Sequence, residues 1–251
     1  MGTESVRLLA VTGFISVPFY DLCHERRVVP GIRANLAPLL AGVRRSILEV
    51  GAGTGLITVP LADMTPAEIF ALEPSAEMRS VLLSRLSSRP ELLSRVTVLP
   101  DDAMSLSLNE PVEAIVMVNV IYAMDPDYRK QLWPRLAAVL ENGGLLVFTW
   151  RDGGPATPRP MQRLESHQVG RHTYTVLSEI LGVDGEAYHV RYRYRITEGS
   201  NIISEEELSG YSYRPTWDAL QHELTGAGFT QASGAEGAEG PEGSLAAWRL
   251  A

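Results

Sequence analysis

Residues 46–55 read Ser46-Ile47-Leu48-Glu49-Val50-Gly51-Ala52-Gly53-Thr54-Gly55. Ile47, Leu48 and Val50 suit a short buried strand. The glycines that follow let the backbone turn tightly and let a ligand approach it closely. Leu56 to Met64 then reads as helix, so the glycines sit where a strand ends and a helix opens, a place suited to binding a nucleotide-like ligand. A dinucleotide fingerprint needs G-x-G-x-x-G, with its third glycine at the position held here by Leu56. In this chain the third glycine falls one residue early. Taken alone, such a loop is equally a tight turn.

The chain on either side of this stretch has a regular rhythm. Ile69-Phe70-Ala71-Leu72 reads as a second strand, Ser75 to Ser87 as a helix, and Val96 to Leu99 as a third strand. Ala114 to Val118 reads as a fourth strand, apolar on both faces as a central parallel strand should be. A helix from about Tyr128 to Leu140 leads through Asn142-Gly143-Gly144 into a fifth strand, Leu145 to Trp150. Five strands alternating with helices predict an α/β fold with right-handed crossovers.

Beyond Trp150 the alternation stops. Arg151 to Pro160 reads as a loop, and three period-2 segments follow: His172–Leu181, Ala187–Ile196 and Ile202–Tyr213. Turns at Gly182–Gly185 and Glu198–Asn201 make these a three-stranded antiparallel meander. Thr216 is placed to cap a helix over Trp217–Thr225 that ends near Gly226. Gly228–Ala232 and Leu245–Leu250 read as two last strands, separated by an acidic Gly/Glu loop over Gly234–Gly243. Upstream, Tyr20 to Leu40 reads as two short helices broken at Pro30-Gly31.

Composition excludes several classes. With 45% hydrophobic and 21% charged residues among 251, the chain is globular and not mainly disordered. Formal charge is 22 − 30 = −8, the opposite of a nucleic-acid footprint. The single cysteine, Cys23, offers neither an internal disulfide nor a C-x-x-C metal pair, and its thiol fits a reducing compartment. No signal-peptide pattern and no apolar run of membrane-spanning length is visible, so the expectation is a cytoplasmic protein that binds neither membrane nor nucleic acid. The spacing shows no metal-ligand set, and metal independence is expected.

The loop spacing G-x-G-x-G after Glu49 resembles the first motif, E/D-x-G-x-G-x-G, of the class I S-adenosylmethionine-dependent methyltransferases. Three further segments agree with it in order. Leu72-Glu73-Pro74-Ser75-Ala76-Glu77-Met78 is similar to the family's second motif, with Glu73 22 residues beyond Gly51. Asp101-Asp102-Ala103-Met104 resembles the G-D-A segment, with Asp101 where the family has glycine. Leu140-Glu141-Asn142-Gly143-Gly144 resembles the L-x-P-G-G turn, with Asn142 in place of proline.

The resemblance implies a Rossmann-like seven-stranded methyltransferase sheet with the antiparallel meander inserted as a cap after strand five. Its expected divisions are a helical lid (1–44), a cofactor-binding core (45–151), a substrate cap (152–213) and the last helix and strands of the core (214–251). It implies S-adenosylmethionine as cofactor and S-adenosylhomocysteine as product. Glu49, Gly51, Ala52, Gly53 and Gly55 would form the loop, and Glu73 would accept the ribose hydroxyls beside Pro74. Met78 would pack near the adenine, whose amino group Asp102 would accept, next to Ala103.

Ligands of open α/β sheets lie outside the carboxyl ends of the strands. The loop Asn119-Val120-Ile121-Tyr122-Ala123-Met124 therefore faces the transferred methyl, with Asn119 on the cofactor side and Tyr122 a candidate for catalysis and substrate contact. It lacks the N-P-P-Y pattern used on nucleobase and glutamine nitrogens. Phe19-Tyr20-Asp21-Leu22-Cys23-His24 resembles the Y-D-x-x-H opening of small-molecule methyltransferases, including amino-sugar N-methyltransferases. Tyr20 either contacts the methionine end of the cofactor or staples the lid helix. The implied activity is methyl transfer to an O or N atom of a small, possibly secondary, metabolite. The alternative is a protein of the same fold that binds the cofactor but cyclises its substrate or is not catalytic.

Candidate bases are His172 and His189, for which surface positions are the competing reading, as for His167. His189, Arg191, Arg193 and Arg195 alternate with Val190, Tyr192, Tyr194 and Ile196. The arginines either pair with Glu205, Glu206 and Glu207 on the next strand or bind an anionic substrate. Tyr211 and Tyr213 are substrate candidates by position, and a homodimer through the cap is possible.

Overall fold

The computed structural model describes residues 16–26, 29–151, 157–232 and 244–251. Helices α1 (Val17–His24) and α2 (Val29–Leu39) precede β1 (Ser46–Val50). There follow α3 (Thr58–Met64), β2 (Glu68–Leu72), α4 (Ala76–Ser87), β3 (Val96–Leu99) and β4 (Val112–Met117). Helix α5 (Pro126–Val139) then leads to β5 (Leu140–Trp150). A second set of strands comprises β6 (Arg159–Val169), β7 (His172–Asp184), β8 (Ala187–Glu198) and β9 (Asn201–Tyr213). The chain ends with α6 (Trp217–Gly226), β10 (Phe229–Gln231) and β11 (Ser244–Leu250). Among the described residues no helix is long and apolar enough to cross a membrane.

The main sheet has seven strands in the order β3-β2-β1-β4-β5-β11-β10. Strands β1 to β5 are mutually parallel, and β11 runs antiparallel to β5 and to β10. Because side chains alternate along a strand, each face carries its own apolar layer. Ile47, Ile69, Val116 and Val147 meet α2, α3 and α4 through Leu36, Leu61 and Leu82. Leu48, Ile115, Phe148 and Trp248 meet α5 and α6 through Trp133, Leu136 and Leu220. By the same alternation Glu49 falls in the first layer, beside apolar neighbours. Side-chain caps fix where the helices begin: Ser75 accepts from the Met78 N–H, Asp125 from that of Tyr128, and Thr216 from that of Ala219.

The cap is a separate four-stranded antiparallel sheet, β6-β7-β8-β9, where three strands were expected. The additional strand is β6, which overlaps only the end of the segment read as loop (Arg151 to Pro160) and otherwise lies in residues to which the sequence assigns no element. It is an edge strand whose side chains are mostly exposed, so it lacks the apolar alternation that marks a strand in sequence. Strand β7 also continues past Gly182 through a register shift, which moves the turn to Gly185-Glu186. All three cap hairpins carry a glycine at positive φ in the first turn position: Gly170, Gly185 and Gly199. That is the glycine placement of a type II′ turn, whose twist matches paired strands. Strand β5 begins at Leu140 and absorbs the Asn142-Gly143-Gly144 turn as a register shift against β4. The acidic loop at Gly234–Gly243 lies outside the described residues.

One buried cation ties cap to core. The Arg129 side chain, on α5, is wholly buried and donates two bonds to Glu186 in the β7–β8 turn (2.8 and 3.1 Å). It donates two more to Glu223 on α6 (3.1 and 3.0 Å) and one to the Met124 carbonyl (2.9 Å). Trp133 Nε1 also donates to Glu223, at 2.8 Å. Removing one partner of such a cluster leaves uncompensated buried charge. Arg129→Met is therefore expected to cost about 3–5 kcal/mol, which lowers Tm by roughly 10 °C in a chain of this size. A calorimetric melt of the variant within about 1 kcal/mol of the parent would show that the cluster does not hold these elements together.

Candidate functional site

The glycine loop is shaped by what packs on it. Gly51, Gly53 and Gly55 all have positive φ. The Gly51 and Ala52 N–H groups donate to the Leu72 carbonyl at 2.8 and 3.0 Å, binding the loop to the end of β2. A Cβ on Gly51 would lie 2.6 Å from Val120, and one on Gly55 would lie 2.5 Å from Leu82. A Cβ on Gly53 would reach only van der Waals contact, with the Tyr20 ring at 3.8 Å and its hydroxyl at 3.9 Å.

Glu73, at the tip of β2, is buried and accepts from the Gly53 N–H (2.9 Å) and the Ser75 N–H (2.8 Å). Burial pushes its carboxyl above the usual carboxylate range, while the two N–H bonds and nearby Arg79 oppose that shift. One carboxylate thus joins the glycine loop, β2 and the start of α4.

Helix α1 lies across this loop. Asp21 accepts from Thr54 Oγ1 and from Arg85, each at 2.5 Å, and Arg85 also donates to the Thr54 carbonyl at 3.1 Å. Tyr20 stacks on His24 with ring centroids 4.4 Å apart. Burial, then the negative groups Asp21, Glu73 and Glu49, push the Tyr20 hydroxyl up to about 12, so it stays protonated. On its other side α1 packs Phe19 against Tyr174 and Tyr194 of the cap.

These elements enclose a cavity of about 400 Å³. Its floor is Gly51, Gly53, Glu73, Pro74 and Met78, continuing into Val118, Asn119 and Val120 after β4. Phe19, Tyr20, Cys23 and His24 close one side. The cap contributes Leu164, Glu165, Val176, Val190, Tyr192, Tyr194 and Ser212, while Tyr122, Ala123, Arg151 and Arg214 complete the rim. Asn119 is the non-glycine residue at positive φ among the described residues (φ 59°). Its N–H donates to the buried Thr149 hydroxyl at 2.6 Å, fixing the turn. Arg214 lies 4.6 Å above the Tyr188 ring.

Several sequence-predicted residues thus line one cavity: Tyr20, Gly51, Gly53, Glu73, Pro74, Met78, Asn119 and Tyr122. Others stand apart from its wall. Glu49 is buried on the α3 side of the sheet and accepts from Thr58 Oγ1 at 2.6 Å. Ala52 and Ala103 are core residues, and Gly55 faces Leu82. Asp102 uses Oδ1 to hold its own turn, accepting from the N–H groups of Met104 and Ser105, both at 2.8 Å.

His172 and His189, the candidate bases, are not on the wall of this cavity. Along β8, Val190, Tyr192 and Tyr194 point inward, which sends His189 outward with the arginines. There it stacks on Tyr211 at 5.0 Å, with Ser209 Oγ 3.2 Å away. Tyr211 is 52% exposed, and neither it nor Tyr213 is on the wall. The outer arginines pair with glutamates: Arg191 with Glu179 and Glu207, Arg193 with Glu207, and Arg195 with Glu205. Cavity residues that the sequence reading missed are Glu165, Arg151, Arg214, Cys23 and His24. The Tyr20–His24 helical spacing was visible in sequence, whereas Glu165 sits on the unrecognised strand.

Residues 47–144 match a protein family described as a methyltransferase domain. An uncharacterized methyltransferase of Mycobacterium tuberculosis is 29% identical over 154 residues, covering 52% of this chain and 59% of that protein. The chain thus spans a little over half the length of the curated relative it matches. Among solved structures, an amino pentose methyltransferase from Micromonospora echinaspora involved in calicheamicin biosynthesis superposes with a TM-score of 0.76. It is 17% identical, and the match covers 95% of this chain and 98% of that one. A sugar N-methyltransferase from Streptoalloteichus gives a TM-score of 0.72 at 18% identity, covering 95% of this chain and 93% of that one.

The electrostatics of the loop can be tested without a ligand. Burial pushes Glu49 up to about 8 from 4.5, against the opposing Thr58 bond. Between these values the folded chain holds a proton that the unfolded chain has lost, so this group's contribution to stability falls as pH rises toward 8. Glu49→Gln removes the titration while keeping the shape. Its Tm relative to the parent is expected to be higher at about pH 8.5 than at about pH 5. An offset that does not change between the two pH values would place Glu49 in the ordinary carboxylate range.

Proposed function

Residues 47–144 belong to the methyltransferase domain family, and we propose on that premise that the chain transfers a methyl group from S-adenosylmethionine to an O or N atom of a sugar-sized metabolite. The observation that carries this reading is the convergence of Gly53, Glu73 and Tyr20 on one cavity at the carboxyl ends of β1, β2 and β4. This is the switch point of the sheet: the chain leaves β1 outward to β2 and β3 and returns to β4 on the other side of β1. The amine-bearing sugars of two structural neighbours support the acceptor class.

The residues fit the cofactor. Gly53 has no side chain where a ligand would cross the loop, and a Cβ there would project into that space. Glu73 offers a buried acceptor for two ribose hydroxyls, and Met78 and Pro74 form an apolar border beside it. When bound, S-adenosylmethionine supplies a methyl group on a positively charged sulfur, open to in-line displacement. The protein's contribution is then alignment and exclusion of water. Val176, Val190, Tyr192 and Tyr194 wall the acceptor side, and Tyr20, held protonated, closes the lid side.

The direct test is calorimetric titration of S-adenosylmethionine and S-adenosylhomocysteine, followed by mass-spectrometric detection of methylated amino and hydroxy sugars. Gly53→Val is expected to abolish binding of both and, because Gly53 holds φ 57° where a β-branched residue is strained, to lower Tm while the far-UV circular dichroism stays that of a folded chain; unchanged affinity would overturn the site. Glu73→Gln is expected to weaken S-adenosylhomocysteine by about 1.5–3 kcal/mol, the range for a hydrogen bond to a charged group. A loss of only a few tenths would place the ribose elsewhere.

A further inference from the structure

We propose that Cys23, Glu165 and His167 form a binding site for a divalent transition-metal ion of the zinc class, clasping the lid helix to the edge strand of the cap. Cys23 lies near the end of α1 and is 8% exposed. Glu165 and His167 are two residues apart on β6, so their side chains share a face. One ligand atom from each of the three lies within 4.8 Å of the others, and Glu165 Oε2 is 3.1 Å from His167 Nε2.

The donor types choose the ion. A thiol, an imidazole and a carboxylate suit Zn²⁺, whereas Ca²⁺ and Mg²⁺ take oxygen ligands. Ligand atoms about 2.0–2.3 Å from a tetrahedral ion stand roughly 3.3–3.8 Å apart, so a modest inward rotation of the cysteine closes the set. Phe19, Val176 and Tyr194 pack around Cys23 and supply the apolar shell that strengthens such bonds. Cys23 and Glu165 both line the cavity, so three protein ligands leave a fourth position facing it. The ligands come from distant parts of the chain, and the spacing rules that predict metal independence register only ligands close in sequence. The site stands or falls separately from methyl transfer.

Cobalt is the probe, because Co²⁺ occupies zinc sites and reports thiolate ligation by a charge-transfer band. The full chain, cleared of metal with a chelator, is titrated with Co²⁺ and then Zn²⁺. One equivalent of Co²⁺ is expected to raise the band and the visible absorption of a tetrahedral ion, and Zn²⁺ to abolish both and raise Tm. Cys23→Ser, a near-isosteric change, should lose the band. His167→Ala should weaken Co²⁺ more than about 100-fold, beyond the loss typical of an outer-shell partner. No band in the parent chain, or the same band in Cys23→Ser, would overturn the proposal. S-adenosylhomocysteine titrated into the same samples separates the two readings: binding without the band removes the metal site alone, and the band without binding removes the methyltransferase reading alone.

Discussion

Three absent side chains organise this molecule. Gly51, Gly53 and Gly55 turn the chain at positive φ, and each gives its vacated space to a different element. Val120, from the loop after β4, fills the space over Gly51, and Leu82 of α4 fills that beside Gly55. Gly53 itself lines the cavity, with the Tyr20 ring at van der Waals distance from where its Cβ would stand. The loop is therefore the point where β4, α4 and the lid are placed relative to β1. A side chain at either outer glycine would push an element away, and one at the middle glycine would fill the site itself.

The carboxylates around the loop divide the electrostatic work. Glu73 is buried but bonded by two backbone N–H groups, which oppose the shift imposed by burial and let it act as an acceptor. Glu49 has one hydroxyl partner in an apolar layer, and burial pushes it up to about 8. Two glutamates at the ends of adjacent strands are thus both raised by burial, but one is held by two backbone N–H groups and the other by a single hydroxyl. Of the pair, the one on the cavity wall is the better supplied with donors. Tyr20 responds to both and to Asp21, which keeps its hydroxyl a donor.

Much of this was legible in the sequence, and the parts that were not share a cause. The alternating strands, the glycine loop, the acid at Glu73 and the Thr216 cap are local patterns, and the structure places them where the pattern reading did. Strand β6 was missed because an exposed edge carries no apolar period. The alternation along β8 places His189 on the same face as the arginines, without saying which face is outward. The glutamates opposite Arg191, Arg193 and Arg195 settle that face, since a row of ion pairs belongs on the outside and His189 has the same parity. Glu165 and Arg214 reach the cavity only through the packing of cap on core, which no local window contains.

That packing separates two properties of the site. The floor is made by the glycine loop and β2, and the lid is tied to it through Asp21, Thr54 and Arg85. The roof is made by β6, β7 and β8 and is tied to the core through Arg129 and Glu186, in the turn between β7 and β8. The two anchors share no residue. Val190 and Tyr192, on the inner face of the cap, line the cavity away from both anchors. The two halves are nevertheless coupled at one element. The lid helix touches both halves, with Tyr20 over Gly53 and Phe19 against Tyr174 and Tyr194, so any displacement of the loop passes through α1 to the roof. A cavity built this way has a lining carried on separate segments, each positioned by its own anchor to the scaffold and coupled through one helix.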